Sequence, residues 1–435
     1  MPTLRLAVPV MIARAGLLVM TTVDTVMCGR LTAEEIAFYA IAQLPQMALL
    51  LVGVGLLMGV VVVTAQIDGA GRRMQCGRIW RLGLLNALAI GALVGLLLWP
   101  GETVLSMLGQ DATMVKGGGP AVTMFALGMP AIFLFTASSA FLEGISRPLP
   151  GMVIMALANL LNAALNVIFM FGPLEWGAEG AALATSITRW AMAVVMIVYI
   201  LVMPGRQAYG VRAPMAGHWQ LQARLSRLGW PMAMSFALEH GAFFAAATFA
   251  GWLGAVSLAA YHIVLNIMAL IYMLAIGIAV ATGVRVGNAV GSGDQTSMKY
   301  AGWVGVGIGM FTMLMLMPLL ALTNEAIVTL FTEDAAVVRL AATGLLIAAL
   351  ILVSDACQGI LIGALRGAAD IWPSLLIQTA SFWCIAIPLS YFFSFYAKYN
   401  IYGLLFGLYF GLTIASLLLG WRFATLTRRR VGMVT

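Results

Sequence analysis

WPMAMSFALEHGAFFAAATFAGW, residues Trp230 to Trp252, decides how the rest of the chain is read. The run is apolar almost throughout and long enough to cross a bilayer, since a spanning helix needs about 20 apolar residues. Glu239 and His240 stand in its middle. An ionised side chain at the hydrocarbon midplane costs roughly 2.5–3.5 kcal/mol on insertion scales, so an acid kept there faces a cavity, a partner or a moving ion. Two further acids hold comparable positions: Asp24 in VDTVMCG (23–29) and Asp355 in SDACQGIL (354–361). Together the three point to an ion-coupled carrier.

Apolar runs of spanning length recur along the whole chain. Hydrophobic residues make up 62% of the 435 and charged residues 9%, where an average soluble domain has about 25% charged. The pattern predicts an all-α polytopic membrane protein with about twelve spans, near 5–28, 36–66, 80–99, 117–141, 151–172, 179–203, 226–252, 256–288, 298–322, 335–364, 372–396 and 401–424. The amino end carries Arg5, then an apolar run with Pro9 and Arg14. It lacks the short apolar core and small-residue cleavage site of a secretory signal, so it reads as the first span. Cys28, Cys76, Cys357 and Cys384 form no C-x-x-C pair. Three lie in apolar runs and Cys76 in a basic loop, so neither a disulfide nor a metal site is expected of them.

The net charge of +7 is a topology signal and not a nucleic-acid footprint. Loops after even-numbered spans carry Arg72, Arg73, Arg78, Arg206, Arg212, Arg224, Lys299, Arg366 and Arg428-Arg429-Arg430. Loops after odd-numbered spans carry Glu34, Glu35, Glu102, Asp111, Glu175, Glu325, Glu333 and Asp334, with few bases. Basic loops stay cytoplasmic, which puts both termini on that side.

The chain repeats itself. An offset of 222 carries Pro9 onto Pro231, Gly29 onto Gly251, Leu31 onto Leu253, Tyr39 onto Tyr261, Gly55 onto Gly277, Gly69 onto Gly291 and Gly71 onto Gly293. Later in each half the offset drifts, with Arg147 answering Arg366 and Gly180 answering Gly403. Duplication is the better reading of matches spread this widely. It divides the chain into a bundle of six helices at 1–205, a cytoplasmic linker at 206–225 and a second six-helix bundle at 226–435. Six spans per repeat give both the same orientation, so the substrate route is expected in a central cleft between the bundles, near the midplane. MPGRQAYGVRAPMAGHWQLQAR (203–224) is the longest polar stretch, and GETVLSMLGQD (101–111) is too short to span. Pro9 and Pro231 are repeat mates on the first helix of each half, where a proline either supplies a bend for alternating access or a static kink.

Glu239 and Phe243 are four apart and share a helix face, a carboxylate beside an aromatic ring. Asp355 has Gln358 and Gly359 on its own face. The bland alternative is a buried acid neutralised by a base, and intramembrane Arg14 and Arg189 are available, most easily to Asp24. His240 and His262 read as hydrogen-bonded packing residues. No G-x-x-x-x-G-K-[ST] loop occurs, so ATP is not the driving force, and no H-E-x-x-H is found. The glycine pairs at 69–71 and 291–293 read as helix caps.

VDTVMCG (23–29), LEHGAF (238–243), VRVGNAVG (284–291) and DACQGILIGALRGAAD (355–370), in that order, resemble the multidrug and toxic compound extrusion (MATE) family, NorM-type branch. The resemblance runs from about Leu4 to Arg422. It implies two six-helix bundles and exchange of Na⁺ or H⁺ for organic cations in a bacterial inner membrane. Carried over by motif, Glu239 and Asp355 match acids of a cation site in the second bundle, able to hold Na⁺, and Asp24 matches the acid of the first bundle used for protons or drug. Phe243 matches a ring near the drug. His262 falls where relatives place a drug-contacting Gln, and Ile351 where some place a Tyr near the ion. Asn162, Asn166 and Thr185 match a polar cluster of the first bundle, with Asn166 where some members have Asp. The partners implied are small cationic substrates and membrane lipid, for a monomer with no nucleic acid and no cofactor beyond the coupling ion. The alternative is a lipid-linked-sugar flippase of the same superfamily, disfavoured by the central acids; a membrane-embedded enzyme would need a reactive cluster that is not found.

Overall fold

A computed structural model gives the fold and describes residues 2–172, 176–213, 219–429 and 432. Glu175 and Arg430, two of the loop charges above, and residues 214–218 of the linker lie outside the described residues. Among the described residues twelve long helices follow one another: α1 (Pro2–Gly29), α2 (Ala33–Gly69, interrupted at Met58), α3 (Cys76–Leu98), α4 (Ala112–Gly144), α5 (Leu149–Met170), α6 (Gly177–Val202), α7 (Trp219–Trp252), α8 (Ala255–Ser292), α9 (Gln295–Thr329), α10 (Ala335–Gly367), α11 (Ile371–Tyr396) and α12 (Ile401–Leu426). Among the described residues eleven are long and apolar enough to cross a membrane. The remaining one, α7, is long enough at 34 residues, and Glu239 and His240 at its centre lower its hydropathy. The fold is that of an all-α polytopic membrane protein.

Several helices outrun their apolar cores because polar residues cap them. Asp111 accepts from Thr113 N at 2.8 Å at the start of α4, Thr32 from Glu35 N at 3.1 Å at the start of α2, and Asp334 from Ala336 N at 2.8 Å at the start of α10. Each satisfies an amide that a helix N-terminus leaves without a partner. The stretch at 101–111 holds only a short helix, Gly101–Met107. About a third of the expected linker, residues 219–225, is helical, since α7 begins at Trp219. Cys76 does not lie in a loop: it opens α3 and is fully buried.

The duplication is visible in backbone detail. Gly71 and Gly293 both close their helices in the left-handed region, at φ 74° and 73°, as the cap reading expects. Gly83 lets α3 approach Val60, and its mate Gly305 lets α9 approach Thr282, the mate of Val60. The expected pairing of Arg147 with Arg366 is overturned. Ser146 and Ala369 take left-handed conformations at φ 60° after α4 and α10. Arg147 N then bonds Leu142 O at 2.8 Å, and Asp370 N bonds Leu365 O at 2.9 Å. The offset there is 223, the same that joins Gly180 to Gly403, so Arg147 answers Asp370 and Arg366 answers Glu143. The match at one helical turn's distance arose because both segments carry an Arg and a Gly close together.

Packing groups the chain into two units, Ile12–Ala233 and Met234–Thr435 with Met1–Met11. The boundaries fall inside α1 and α7, just past Pro9 and Pro231. In the first unit α4 is the central helix, packed by α2, α3 and α6, with α5 on α6. In the second, α10 takes the same place against α8, α9 and α12. Helix α11 widens into π-type turns at Ala380–Ala386 and Phe392–Tyr396, a distortion that re-aims side chains and is often found at functional sites.

Candidate functional site

The first unit buries Asp24 completely, at 0% exposure. Its carboxylate draws donors from three other helices. Tyr39 of α2 donates its hydroxyl to Oδ2 at 2.7 Å. Thr185 of α6 donates to the same oxygen at 2.7 Å, and Asn166 of α5 donates Nδ2 to Oδ1 at 2.6 Å. Asn162, one turn before Asn166, donates to Thr185 Oγ1 at 3.3 Å and accepts from Asn166 at 3.4 Å. Asn166 Oδ1 is buried with no protein partner. Each bond to a charged group contributes about 1.5–3 kcal/mol, so neutral donors offset much of the desolvation of Asp24.

No base among the described residues bonds it, although Arg189 lies within its electrostatic reach. Arg189, one turn beyond Thr185, donates Nη1 to Gln46 Oε1 at 3.1 Å and lies over the Phe125 ring at 5.6 Å. Arg14 pairs with Glu143 at 3.5 Å. The bland reading, in which either arginine quenches Asp24 by direct contact, is therefore not what the fold builds.

The second unit places Glu239 on α7 and Asp355 on α10. Gln378 of α11 donates Nε2 to Glu239 Oε2 at 2.9 Å. The Gln378 carbonyl oxygen accepts from the Ser235 hydroxyl, and Arg366 Nη2 donates to Ser235 Oγ at 3.3 Å while its guanidinium lies 4.9 Å over Phe236. The relay has one direction. Arginine only donates, so Ser235 must pass its own proton on to the Gln378 oxygen, which turns the amide NH₂ toward Glu239. One carboxylate oxygen is thus held, and the other bonds no described residue.

Asp355 is 6% exposed and makes no hydrogen bond with a described residue. Glu239 lies within electrostatic reach of it, as of Tyr272 on α8. Gln358, on the same face of α10, is fully buried with both amide atoms lacking a protein partner. Gly359 gives the Tyr272 hydroxyl room to come against α10. Neither Glu239 nor Asp355 forms an ion pair with a described residue. Phe243, one turn after Glu239, tilts against Phe382 in the first π-type turn at 5.9 Å.

Other candidates stand apart. His240 Nδ1 donates to the Phe236 carbonyl at 2.9 Å, one turn back. His262 is exposed on α8 beside the ring of Tyr261. Ile351 is fully buried among apolar neighbours. Among the described residues no three of His, Cys, Asp and Glu converge; a cation at either place would be held by a carboxylate with amide and hydroxyl oxygens.

Sequence reading missed Tyr39, Gln378 and Tyr272. Tyr39 was visible only as a repeat mate of Tyr261. Gln378, a carboxamide inside an apolar run, was the available signal for the second site.

Known proteins resemble the chain over nearly its whole length. The family profile described as MatE matches residues 9–168 and 231–392, one block in each repeat. The chain is 34% identical over 436 residues to the probable multidrug resistance protein NorM of Rhodopseudomonas palustris, covering 98% of this chain and 92% of that protein. It is 33% identical over 402 residues to the probable multidrug resistance protein NorM of Caulobacter vibrioides, covering 88% and 84%. Among solved structures, the outward-facing conformation of a multidrug resistance MATE family transporter of the MOP superfamily matches with a TM-score of 0.91 at 20% identity, over 98% of this chain and 96% of that one.

Proposed function

The chain belongs to the MatE family, as a multi-pass secondary transporter and not an enzyme, and from that membership we propose that it exports organic cations in exchange for Na⁺ or H⁺. The observation that carries the reading is three acids, Asp24, Glu239 and Asp355, on membrane-length helices, none of them paired with a base among the described residues. A buried charge left without a counter-charge is costly, and a cation that arrives and departs supplies one.

Glu239 and Asp355 bind the coupling ion. Gln378 holds one oxygen of Glu239, and the other oxygen and Asp355 face the ion. Na⁺ suits these oxygens as a hard cation; H⁺ suits the same carboxylates. Asp24 with Asn162, Asn166 and Thr185 forms a second cation or drug site in the first unit. Phe243 and His262 contact the aromatic body of the substrate. Ion and drug compete for shared carboxylates, and this gives the differential affinity a conformational shift requires. The repeats 1–205 and 226–435 alternate access to the two sides of a bacterial inner membrane, with basic loops and both termini in the cytoplasm.

The test is dye efflux from everted vesicles with an imposed Na⁺ gradient alone and then an H⁺ gradient alone, comparing the natural chain with Glu239→Gln. The expected result is efflux driven by one of the two gradients and lost in Glu239→Gln. Unchanged coupled efflux in the variant removes Glu239 from the mechanism.

A further inference from the structure

The first unit contains a cavity that the duplication aligns with the Glu239 site of the second. Its wall includes Ala13, Leu17, Leu50, Ile132 and Met155. At the offsets of 222 and 223 these answer Ser235, Glu239, Tyr272, Asp355 and Gln378 in turn. These five polar residues of the second-unit site thus all answer apolar ones. One end of the cavity keeps charge: Glu143, the mate of Arg366, faces Arg14, the mate of Phe236.

The pair is loosely made. Arg14 Nη2 reaches Glu143 Oε1 at 3.5 Å, with no second contact. Ser139 donates to the same oxygen at 3.0 Å. Glu143 Oε2 accepts from no described residue, although Glu143 is only 4% exposed. The Thr136 hydroxyl spends its proton on Ile132 O at 2.8 Å and turns its lone pairs to the cavity wall. The cavity, lined by Arg14 and Glu143 among others, holds about 40 Å³ of free space. Withdrawing the Arg14 head would add its own volume to the cavity. A planar cation on an aliphatic stem already sits on a buried carboxylate, and apolar walls continue past it.

We propose that this cavity is a subsite for organic cations with a guanidinium or amidinium head on an apolar stem, and that Arg14 is its internal occupant, displaced from Glu143 when such a ligand enters. The head takes over the bond to Oε1 and adds a second to Oε2, a two-point geometry that Arg14 does not achieve here and that planar guanidinium favours. The stem covers Leu17, Ile132 and Met155. An ammonium lacks the planar fork, so the subsite discriminates among cations. The inference rests on reading the chain as an exporter of organic cations, but it concerns equilibrium binding in the first unit and needs neither an ion gradient nor Glu239.

The test is calorimetric titration of the purified full chain with n-butylguanidinium, and with n-butylurea as the neutral isostere. Arg14→Ala removes the internal competitor and is expected to bind butylguanidinium about tenfold more tightly than the natural chain, a difference of about 1.4 kcal/mol. The double variant Arg14→Ala with Glu143→Gln is expected to lose that binding, and butylurea to bind neither. Equal affinity in the natural chain and Arg14→Ala overturns the proposal, as does binding that survives Glu143→Gln or is matched by butylurea. Removing one partner of a buried pair is destabilising, so the thermal midpoint gives a second readout. Butylguanidinium is expected to raise it in Arg14→Ala and, to a smaller extent, in Arg14→Lys, which retains a tethered charge. No rise in either variant overturns the proposal even where Arg14→Ala folds poorly. A positive result here with no coupled efflux would sink the transport reading alone; the reverse pattern would sink only the subsite.

Discussion

Tyr39 donates its hydroxyl to Asp24 over 2.7 Å, while its repeat mate Tyr261 ends in a buried hydroxyl without a partner among the described residues. The position answering Asp24 is Ala246, fully buried in the apolar core of the second unit. The first unit therefore kept polar groups at this place and lost them at the cavity near Glu143. The second unit did the opposite.

That contrast sets opposite expectations for one chemical change. Tyr39→Phe should lower stability by about 1.5–3 kcal/mol, since it removes a hydrogen bond to a charged group. Tyr261→Phe should be neutral or stabilising by about 1 kcal/mol, since it removes only an unsatisfied polar atom. Denaturation of the two variants in one detergent compares them directly; a larger loss for Tyr261→Phe would mean that its hydroxyl has a partner the protein does not supply.

Gln378→Leu should weaken transport about tenfold or more, because it frees the Glu239 oxygen that the amide holds and leaves the Ser235 hydroxyl without its acceptor. In a Glu239→Gln background the same change should add little, as residues acting through one another are not additive. Efflux rates of the four chains form the cycle, and additive losses would show that Gln378 acts elsewhere.

Arg366→Met removes both the donor to Ser235 and the cation over Phe236, a contact that contributes roughly 0.5–2 kcal/mol. Arg366→Lys keeps a charge but not the planar stacking. Arg366 is also a positive charge within electrostatic reach of Glu239, so Met loses a repulsion along with the relay, and the expected result is weaker ion affinity in Lys than in the natural chain, read from the Na⁺ or pH dependence of dye efflux. Equal curves would separate the relay from ion binding.

Asp294 lies outside the membrane-spanning helices and caps α9. It accepts from Ser297 N at 2.9 Å and from Ser297 Oγ at 2.6 Å, and these bonds hold its carboxyl below the usual range. A folded value below the unfolded one contributes stability above the ordinary carboxylate range, lost as pH falls through the folded value. Protection of the first-turn amides of α9 from exchange, relative to their intrinsic rates, should fall at acid pH in the natural chain. It should already be low at neutral pH in Asp294→Ala.

How far the sequence carries the reader depends on the reach of each signal. Hydropathy is local, and it placed most span ends within a few residues, though α7 begins and α9 ends seven residues outside the apolar runs; caps such as Thr32 and Asp111 extended other helices beyond theirs. Repeats are local comparisons too, and they succeeded for Gly71 with Gly293. They slipped by one turn at Arg147, where two Arg and Gly positions compete and only the left-handed residues Ser146 and Ala369 fix the register.

The sequence by itself determined a chain of apolar spans in two repeats, with acids where hydrocarbon penalises them, because each of those facts is written in neighbouring residues. The tertiary structure alone decided what those acids meet. Asn166 comes to Asp24 from 142 positions away, and Gln378 to Glu239 from 139. Arg14, ten residues from Asp24 but 129 from Glu143 along the chain, meets Glu143 within one packed unit. Burial makes an unpaired charge costly, and the helices that happen to pack there settle whether a neutral donor, a fixed base or a passing cation satisfies it.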